Sequence, residues 1–304
     1  MSFKKIIGIG ASVAVAAMVL AGCAATPDAT PTETAAQGGI SVDAKAAALL
    51  PADYSNGINI GSDIPYAPME LFDENNQVTG FDYDLSQAIG AKLGVKMDFQ
   101  KQAWDSIIPS LEAGNHDIIM SGMNDTVERQ AKLDFVDYFN GGFSIIVKKG
   151  NPLGIAKLTD LCDQNVAVQT ATAQGDLLKA LTPECTKLGK GAVKLIELPT
   201  DPDAQSAVRA DKAVADVMDA PIAAYAALTA GDGKYFDLIK DVANPNGYDS
   251  VLTGIGVLKA NTGLRDALQA ALQSLIDDGN YGKILAKWNL SNFAVATATI
   301  NGTK

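Results

Sequence analysis

Short apolar runs alternate with amphipathic segments through the first half of the chain. The segment 57–61 (GINIG) predicts a strand, 81–94 (FDYDLSQAIGAKLG) predicts an amphipathic helix, and 95–102 (VKMDFQKQ) predicts a second strand. A helix over 104–114 and a buried strand over 116–122 follow. Buried strands separated by helices of 3.6-residue periodicity indicate βαβ units, so we expect an α/β fold with a mostly parallel sheet.

The rhythm changes around 138–152, and a second set of elements begins there. Strands are predicted at 165–171, 193–199 and 214–219, with helices at 175–185 and 203–213. The C-terminal part predicts a strand at 254–260 and helices at 262–279 and 280–290. Two such sets of strands and helices indicate two α/β lobes, because about 250 residues are enough for two modest domains.

The first 22 residues have the pattern of a secretory signal peptide. Two lysines precede an apolar run that is too short for a stable membrane span, and small residues follow it. The run ends in Leu20-Ala21-Gly22-Cys23, which resembles the lipobox of bacterial lipoproteins. The resemblance implies that Cys23 becomes the first residue, carries a diacyl lipid (palmitate) and anchors the chain to the cell membrane. The alternative is ordinary secretion, with Cys23 an incidental small residue.

Residues 24–39 are rich in Pro, Thr and Ala and show no periodicity. They cannot bury enough apolar surface to fold, so we expect 23–50 to be a lipid-anchored, disordered tether with a possible short helix over 41–51. Without residues 1–22 the formal charge changes from −11 to −13, because two lysines are removed. Such an acidic surface repels nucleic acid, which we exclude as a partner.

Two cysteines remain after lipidation, Cys162 and Cys185. An even pair in an oxidising compartment indicates a disulfide, and the alternative is two buried free thiols. His116 is the only histidine and lies in a polar turn, so we expect it to be solvated. The sequence shows no metal cluster, and we expect neither a metal nor a cofactor.

Four segments resemble the extracellular amino-acid-binding proteins of ABC importers, that is, the bacterial extracellular solute-binding protein family 3. They are 80–94 (GFDYDLSQAIGAKLG), 105–122 (DSIIPSLEAGNHDIIMSG), 126–135 (TVERQAKLDF) and 277–288 (DDGNYGKILAKW). The resemblance extends over about residues 57–290. It implies a two-lobe periplasmic-binding-protein-like fold of type II that closes over its ligand about a two-strand hinge.

The resemblance also implies how the chain divides between the lobes. Lobe 1 would comprise 57–140 and 254–304, and lobe 2 would comprise 141–253. The hinge strands would cross between the lobes near 138–142 and 249–253. Closure of this kind is a hinge motion in which the ligand stabilises the closed state by contacting both lobes.

Arg129, one of three arginines in the chain, occupies the arginine position of the family's T-x-E-R motif. The resemblance implies that Arg129 pairs with the α-carboxylate of the ligand, for which a planar guanidinium offers two parallel donors. From the local sequence alone, the alternative is a surface ion pair with Glu128, Asp125 or Asp134.

Asp219 matches the family aspartate that accepts the ligand ammonium from the second lobe. The alternative is that Asp219 only caps the helix that follows it, since aspartate before a proline in the first turn is a common cap. The family usually has another acid five residues earlier, where this chain has Val214. Asp216 is therefore a second, less favoured candidate for the ammonium partner.

Tyr66 and Trp104 occupy positions where the family places rings on either side of the ligand side chain. The alternative is two half-buried loop aromatics with their polar atoms at water. Asp63 would then reach the polar end of the ligand. These residues and the acidic chain favour a neutral polar or cationic amino acid over glutamate or aspartate, although Lys101 could neutralise a second carboxylate.

Three further positions follow from the resemblance. Gly122 has a carbonyl suited to the ammonium, and Asn124 stands toward the carboxylate where the family usually has Ser or Thr. Thr172 and the backbone of Ala173 lie in the turn that grips the carboxylate, although Ala171 replaces the usual glycine there.

The function implied is a monomeric, non-catalytic lipoprotein that captures a free amino acid outside the membrane. It would deliver the ligand to an ABC permease and, through the permease, to an ATPase. One alternative is a dehydratase-like enzyme for small carboxylates, and another is a ligand-sensing module for a membrane receptor. No histidine stands at a pocket position and no nucleophile–base pair is visible, so we expect no enzymatic activity.

Overall fold

Helices and strands alternate along residues 39–304, the part of the chain that the computed structural model describes. The predicted signal peptide, the lipidation site at Cys23 and the tether up to residue 38 lie outside the described residues. The strands are β1 (Ile58–Ser62), β2 (Leu71–Phe72), β3 (Val78–Thr79), β4 (Met97–Lys101), β5 (Ile118–Ile119), β6 (Leu133–Lys148), β7 (Asn165–Gln169), β8 (Lys194–Leu198), β9 (Ala215–Asp219), β10 (Phe236–Leu238), β11 (Tyr248–Leu258) and β12 (Thr299–Ile300). The helices are α1 (Ala44–Leu49), α2 (Phe81–Leu93), α3 (Ile107–Glu112), α4 (Val127–Gln130), α5 (Ala173–Ala180), α6 (Thr182–Lys187), α7 (Asp201–Arg209), α8 (Ala220–Thr229), α9 (Thr262–Asp277) and α10 (Asn280–Lys287).

The main sheet is mixed, with parallel flanks and an antiparallel centre. Its strand order is β4-β1-β5-β11-β6-β9-β7-β8, and β10 and β12 add to β6. The pairs β1–β4, β1–β5, β7–β8 and β7–β9 are parallel, whereas every pair that includes β6 or β11 is antiparallel. The expectation of a mostly parallel sheet was therefore wrong at the centre, because two long strands pass through it in opposite directions.

β6 and β11 connect the two flanks of this sheet. β6 runs for 16 residues, and its pairing with β11 shifts in register between Thr253 and Gly254. Near the middle of β6 the backbones come very close, since a Cβ at Gly142 would lie 2.5 Å from the Tyr248 carbonyl oxygen. Only glycine fits so close an approach. The lobe boundaries expected along these strands stay a prediction.

Amphipathic helices cover the flanks as the sequence pattern predicts. α9 buries leucines at helical spacing, Leu264, Leu268, Leu272 and Leu275, and packs on α1 and α2. Each such side chain contributes roughly 1.5–3 kcal/mol to the stability of the fold when it is fully buried. Within residues 39–304 no helix is long and apolar enough to cross a membrane.

The region around the two cysteines differs from its prediction in one respect. The helix expected over 175–185 is divided into α5 and α6, and Pro183 lies in the first turn of α6. The predicted disulfide is confirmed: Cys162 and Cys185 are bonded, with their Cα atoms 5.5 Å apart. The bond attaches α6 to the 3-10 turn Leu158–Leu161.

His116 is buried, so the expectation of a solvated turn histidine was wrong. Its exposed fraction is 4%, and its ring lies over Gly61 of β1, where an added Cβ would overlap Nε2. The missing side chain at Gly61 leaves the space that lets the turn fold onto the strand. Nε2 has no hydrogen-bond partner in the described part of the chain, and burial lowers the pKa of the imidazole.

Candidate functional site

The ends of strands from both flanks converge on one cavity. Parallel strands present their carboxyl ends at one edge of a sheet, where the chain leaves for the next helix. The flank of β1, β4 and β5 provides loops after each strand, and the flank of β7 and β9 faces it. Seven of the eight predicted ligand-binding residues line the cavity, together with three that were not predicted: Asp63, Tyr66, Trp104, Gly122, Asn124, Thr172 and Asp219, with Ser121, Gln169 and Gln174.

Asp219, the last residue of β9, accepts hydrogen bonds only from neutral donors among the described side chains. Its Oδ2 accepts from the Tyr66 hydroxyl and, at 3.5 Å, from Gln174 Nε2, while its Oδ1 accepts from Asn124 Nδ2 at 3.0 Å. Its side chain makes no capping bond to α8, which contradicts the reading that capping is its only role. Burial raises the pKa of Asp219, and the bonds from Tyr66 and Asn124 oppose that rise.

Asp216 lies on β9 but points away from the cavity. It is three residues before Asp219, so the alternation of side chains along a strand places the two on opposite faces. Asp216 is fully buried, and neither carboxylate oxygen has a hydrogen-bond partner within residues 39–304. Burial and the charge of Asp201 raise its pKa well above the usual range.

Arg129 is held at the edge of the cavity by the short helix α4. Its guanidinium donates to the carbonyl oxygens of Asn124 at 2.9 Å and Ala171 at 3.3 Å, and lies 5.2 Å from the centre of the Trp104 ring. No carboxylate of the described chain lies within 4.0 Å, and Asp134 pairs with Arg265 instead. The alternative of a surface ion pair was therefore wrong. Arg129 lines a second cavity that adjoins the first at Trp104.

The carbonyl of Ala171 accepts hydrogen bonds from side chains of the opposite flank. Trp104 Nε1 donates to it at 3.1 Å, in addition to the bond from Arg129. Ala171 has φ of 56°, the left-handed region that disfavours residues with a Cβ, and this explains why a glycine is usual here. Thr172 caps α5 and donates to the Gln169 carbonyl at 2.7 Å, so its hydroxyl holds the turn.

Asp63 also lines the cavity and is bridged across the flanks by Gln169. Its backbone N–H donates to Ser121 Oγ at 2.8 Å, and its Oδ2 accepts from Gln169 Nε2 at 2.7 Å. Burial raises the pKa of Asp63, while Gln169 and Lys101 lower it. A second acid, Asp201 at the start of α7, is buried nearby, and burial raises its pKa to about 7.

A pair of buried carboxyl groups supports the floor of the cavity. Glu70 accepts from Ser121 Oγ at 2.6 Å, and Asp82 Oδ2 accepts from the Gly122 N–H and the Tyr138 hydroxyl, both at 2.8 Å. Glu70 Oε2 and Asp82 Oδ1 are buried without a hydrogen-bond partner in the described part of the chain, and burial raises the pKa of both groups. Burial and the charge of Asp82 raise the pKa of Glu70 well above the usual range, whereas Asp82 already accepts two bonds, so Glu70 keeps its proton to the higher pH.

Sequence reasoning missed six residues at or beneath the cavity: Glu70, Asp82, Ser121, Gln169, Gln174 and Asp201. Ser121 and Asp82 stand inside two of the segments that carry the family resemblance, which was the one available signal. The local sequence around the other residues indicates only the end of a strand or the start of a helix. Their partners lie far away in the chain, so the local pattern could not single them out.

The chain is similar to known binding proteins over most of its length. The model of the bacterial extracellular solute-binding proteins, family 3, matches residues 58–291. The arginine-binding protein ArgT of Corynebacterium glutamicum is 29% identical over 249 residues, covering 80% of this chain and 78% of that protein. A probable histidine-binding protein of Neisseria gonorrhoeae is 30% identical over 292 residues, covering 95% and 96%.

A solved structure shows the same architecture. The ancestral amino acid-binding protein AncCDT-1, described as a precursor of cyclohexadienyl dehydratase, matches with a TM-score of 0.66 and 34% sequence identity, covering 76% of this chain and 94% of that one. This likeness confirms the predicted two-lobe α/β fold class.

Proposed function

Since this chain belongs to the bacterial extracellular solute-binding proteins, family 3, we propose that it binds a free amino acid outside the membrane and delivers it to an ABC importer. The observation that carries the proposal is the guanidinium of Arg129, which lies beside the cavity with no carboxylate partner among the described residues. A partly buried cation without an anionic partner is suited to an anionic ligand group.

The two constant groups of an amino acid match two groups of the site. Arg129 now donates to two neutral carbonyl oxygens, and a ligand α-carboxylate would be a stronger, bidentate acceptor. Asp219 now accepts only from neutral donors, and a ligand ammonium would give it a charged one. In this proposal Tyr66 and Asn124 hold Asp219, the Gly122 carbonyl assists the ammonium, and Thr172 shapes the turn at the carboxylate.

The far end of the cavity supports a polar or cationic ligand side chain. Asp63 faces this end, and the buried carboxyl of Asp201 adds a second acidic group near it. Lys101, which could have favoured an acidic ligand, is exposed. The relatives named for arginine and histidine support the same class, and we propose arginine as the first ligand to test.

We propose that the ligand acts by holding the two lobes together. Lobe 1 would be 57–140 with 254–304 and lobe 2 would be 141–253, joined by β6 and β11. Trp104 reaches Ala171, and Gln169 reaches Asp63, across the cleft between these parts. A ligand that contacts both sides stabilises the closed form by its extra contacts there.

We also propose how the protein is retained outside the cell. Residues 1–22 would be removed as a signal peptide, Cys23 would carry the lipid anchor, and residues 23–50 would include the tether. The monomeric protein would then present its closed form to a permease and, through it, an ATPase. A mass spectrum of the mature protein from its membrane fraction, with a diacylglyceryl group on Cys23, is the expected result. A soluble mature protein with an unmodified Cys23 would contradict it.

The first test is calorimetry of residues 24–304, refolded to remove carried-over ligand, against the twenty amino acids. We expect arginine to bind and Arg129→Ala to lose about 3–5 kcal/mol, a hundredfold or more in affinity. Arg129→Lys keeps the charge without the planar guanidinium, so its affinity for arginine should lie between those of wild type and Arg129→Ala. Arg209→Ala is the matched control, because Arg209 stacks on Tyr235 outside the cavity.

Two results would redirect this proposal. Binding that survives Arg129→Ala would place the carboxylate elsewhere. Turnover of a small carboxylate, followed by NMR, would favour an enzyme, the alternative suggested by the likeness to a dehydratase precursor. We propose no catalysis, because the residues that line the described cavity include no histidine and no cysteine.

A further inference from the structure

The last residues of the chain bind to β6, one of the two strands that join the flanks. β12 pairs antiparallel with residues 136–137 of β6. Asn301 extends this pairing, since its N–H donates to the Phe135 carbonyl at 3.1 Å and its Oδ1 accepts from the Phe135 N–H at 2.8 Å. This segment lies beyond residue 291, where the family match ends.

Two fully buried carboxyl groups hold the segment in place. Asp137 Oδ2 accepts from Thr299 Oγ1 at 2.7 Å and from the Gly302 N–H at 2.9 Å. Asp125 Oδ2 accepts from the Thr303 N–H at 3.1 Å. Burial together with the charge of Asp125 raises the pKa of Asp137 to about 7. The segment therefore binds to two buried acceptors rather than to solvent-exposed groups.

Asp125 and Thr303 also contact the helix that carries Arg129. Gln130, the next residue in α4, donates through Nε2 to Asp125 Oδ1 at 2.8 Å and to the Thr303 carbonyl at 2.9 Å. The position of the segment is tightly defined, because a Cβ at Gly302 would lie 2.5 Å from Leu252 Cδ1. α4 has only four residues, so it cannot be stable by itself and depends on contacts of this kind.

We propose that residues 299–303, the C-terminal strap, position α4 and thereby hold the Arg129 guanidinium in the orientation that receives the ligand carboxylate. Thr303 and Gln130 are positioning residues in this arrangement, since neither lines the ligand cavity. The inference rests on the proposed function in taking Arg129 as the anchor of the ligand.

A double-mutant cycle with L-arginine tests the positioning role. The variants are the mature chain ending at Asn301, Gln130→Ala, and both changes together, with affinities measured by calorimetry. Each single change should weaken arginine binding about five- to tenfold, the size of one lost hydrogen bond of this kind. The combined variant should be no weaker than the worse single one, because both changes break the same contact. Lys304→Ala, at an exposed residue beyond the strap, is the control and should bind as the wild type does.

A measurement without ligand separates this inference from the proposed function. Amide hydrogen exchange of ligand-free protein should be faster at Arg129 and Gln130 when the strap is cut, because both amides bond to Thr126 within α4. If the cut chain does not fold, Gly302→Ala displaces the strap instead. Unchanged exchange rates at these two amides would overturn the positioning role of the strap. Binding losses that add in the double-mutant cycle would overturn it as well. If wild type does not bind arginine, the proposed ligand is wrong, and the exchange measurement alone tests the strap.

Discussion

Single carboxyl groups in this molecule differ in charge state according to what surrounds them. Asp134 is paired with Arg265 and Lys259; burial raises its pKa, but bonds from Asn301 and these two bases outweigh burial and lower it. Glu70 is fully buried and has no ion-pair partner in the described part of the chain, so its pKa rises well above the usual range. Burial disfavours a charge unless a partner compensates it.

The Glu70 proton leads to a pH-dependent prediction. Because the folded pKa lies above the unfolded value, the stability contributed by Glu70 is complete below the unfolded pKa and is lost as pH rises toward the folded pKa. A glutamine side chain at this position would have a similar size and would stay neutral at every pH. The free energy of unfolding of Glu70→Gln, relative to wild type, should therefore increase with pH above about 4.5, by up to ~1.4 kcal/mol per pH unit.

Urea unfolding of both proteins between pH 4 and pH 9 would measure this difference. Glu74→Gln, at an exposed position four residues away, is the matched control and should show a constant difference. A difference for Glu70→Gln that is constant across the range would mean that Glu70 is ionised in the folded protein.

At the scale of elements, short helices on the second flank depend on contacts outside themselves. α6 has six residues and includes a proline in its first turn, so its own backbone bonds cannot keep it folded. The Cys162–Cys185 bond attaches it to the turn before β7, and both cysteines are at most 1% exposed. The disulfide therefore stabilises α6, whereas the long helix α9 is stabilised by the packing of its apolar side chains.

Removing the disulfide should lower the free energy of unfolding by roughly 3 kcal/mol, since it closes a loop of intermediate length. The variant is Cys162→Ala with Cys185→Ala, compared with wild type in urea. Wild type in a thiol reductant should unfold at the same urea concentration as the variant. Arginine affinity should stay within about twofold, because neither cysteine lines the cavity. A loss below about 1 kcal/mol would show that the reduced chain is already constrained.

For the whole molecule, the decisive feature is that only β6 and β11 carry the described sheet from one flank to the other. The cavity is formed at this crossing, and contacts such as Trp104 to Ala171 exist only when the flanks are close. Two extended strands can bend at their crossing while each flank keeps its packing, which is the physical basis of hinge closure.

Small-angle X-ray scattering tests whether the proposed closure takes place. We expect saturating L-arginine to lower the radius of gyration of wild-type protein, because the ligand stabilises the closed form. Arg129→Ala under the same conditions, and wild type with L-glutamate, should scatter as the ligand-free protein does. An unchanged curve for wild type at proven saturation would show that the molecule is closed without ligand.

The sequence by itself determined the elements whose signal is local. α2 and α9 follow from apolar residues at helical spacing and from the glycines after them, and the α/β class follows from the alternation of strands and helices. Motif positions also identified seven of the ten residues that line the cavity. These features depend on neighbours a few residues apart, so one chain read in order is enough to find them.

Tertiary structure alone decided the features that join distant parts of the chain. His116 is buried because Gly61, 55 positions earlier in the numbering, leaves room for it. Gln169 is at the cavity because it bonds to Asp63, 106 residues away, and Gln130 meets Thr303 at a separation of 173 residues. Hydrogen bonds and burial at such separations leave no periodic trace in the sequence, because they arise only when the folded sheet brings the strand ends together.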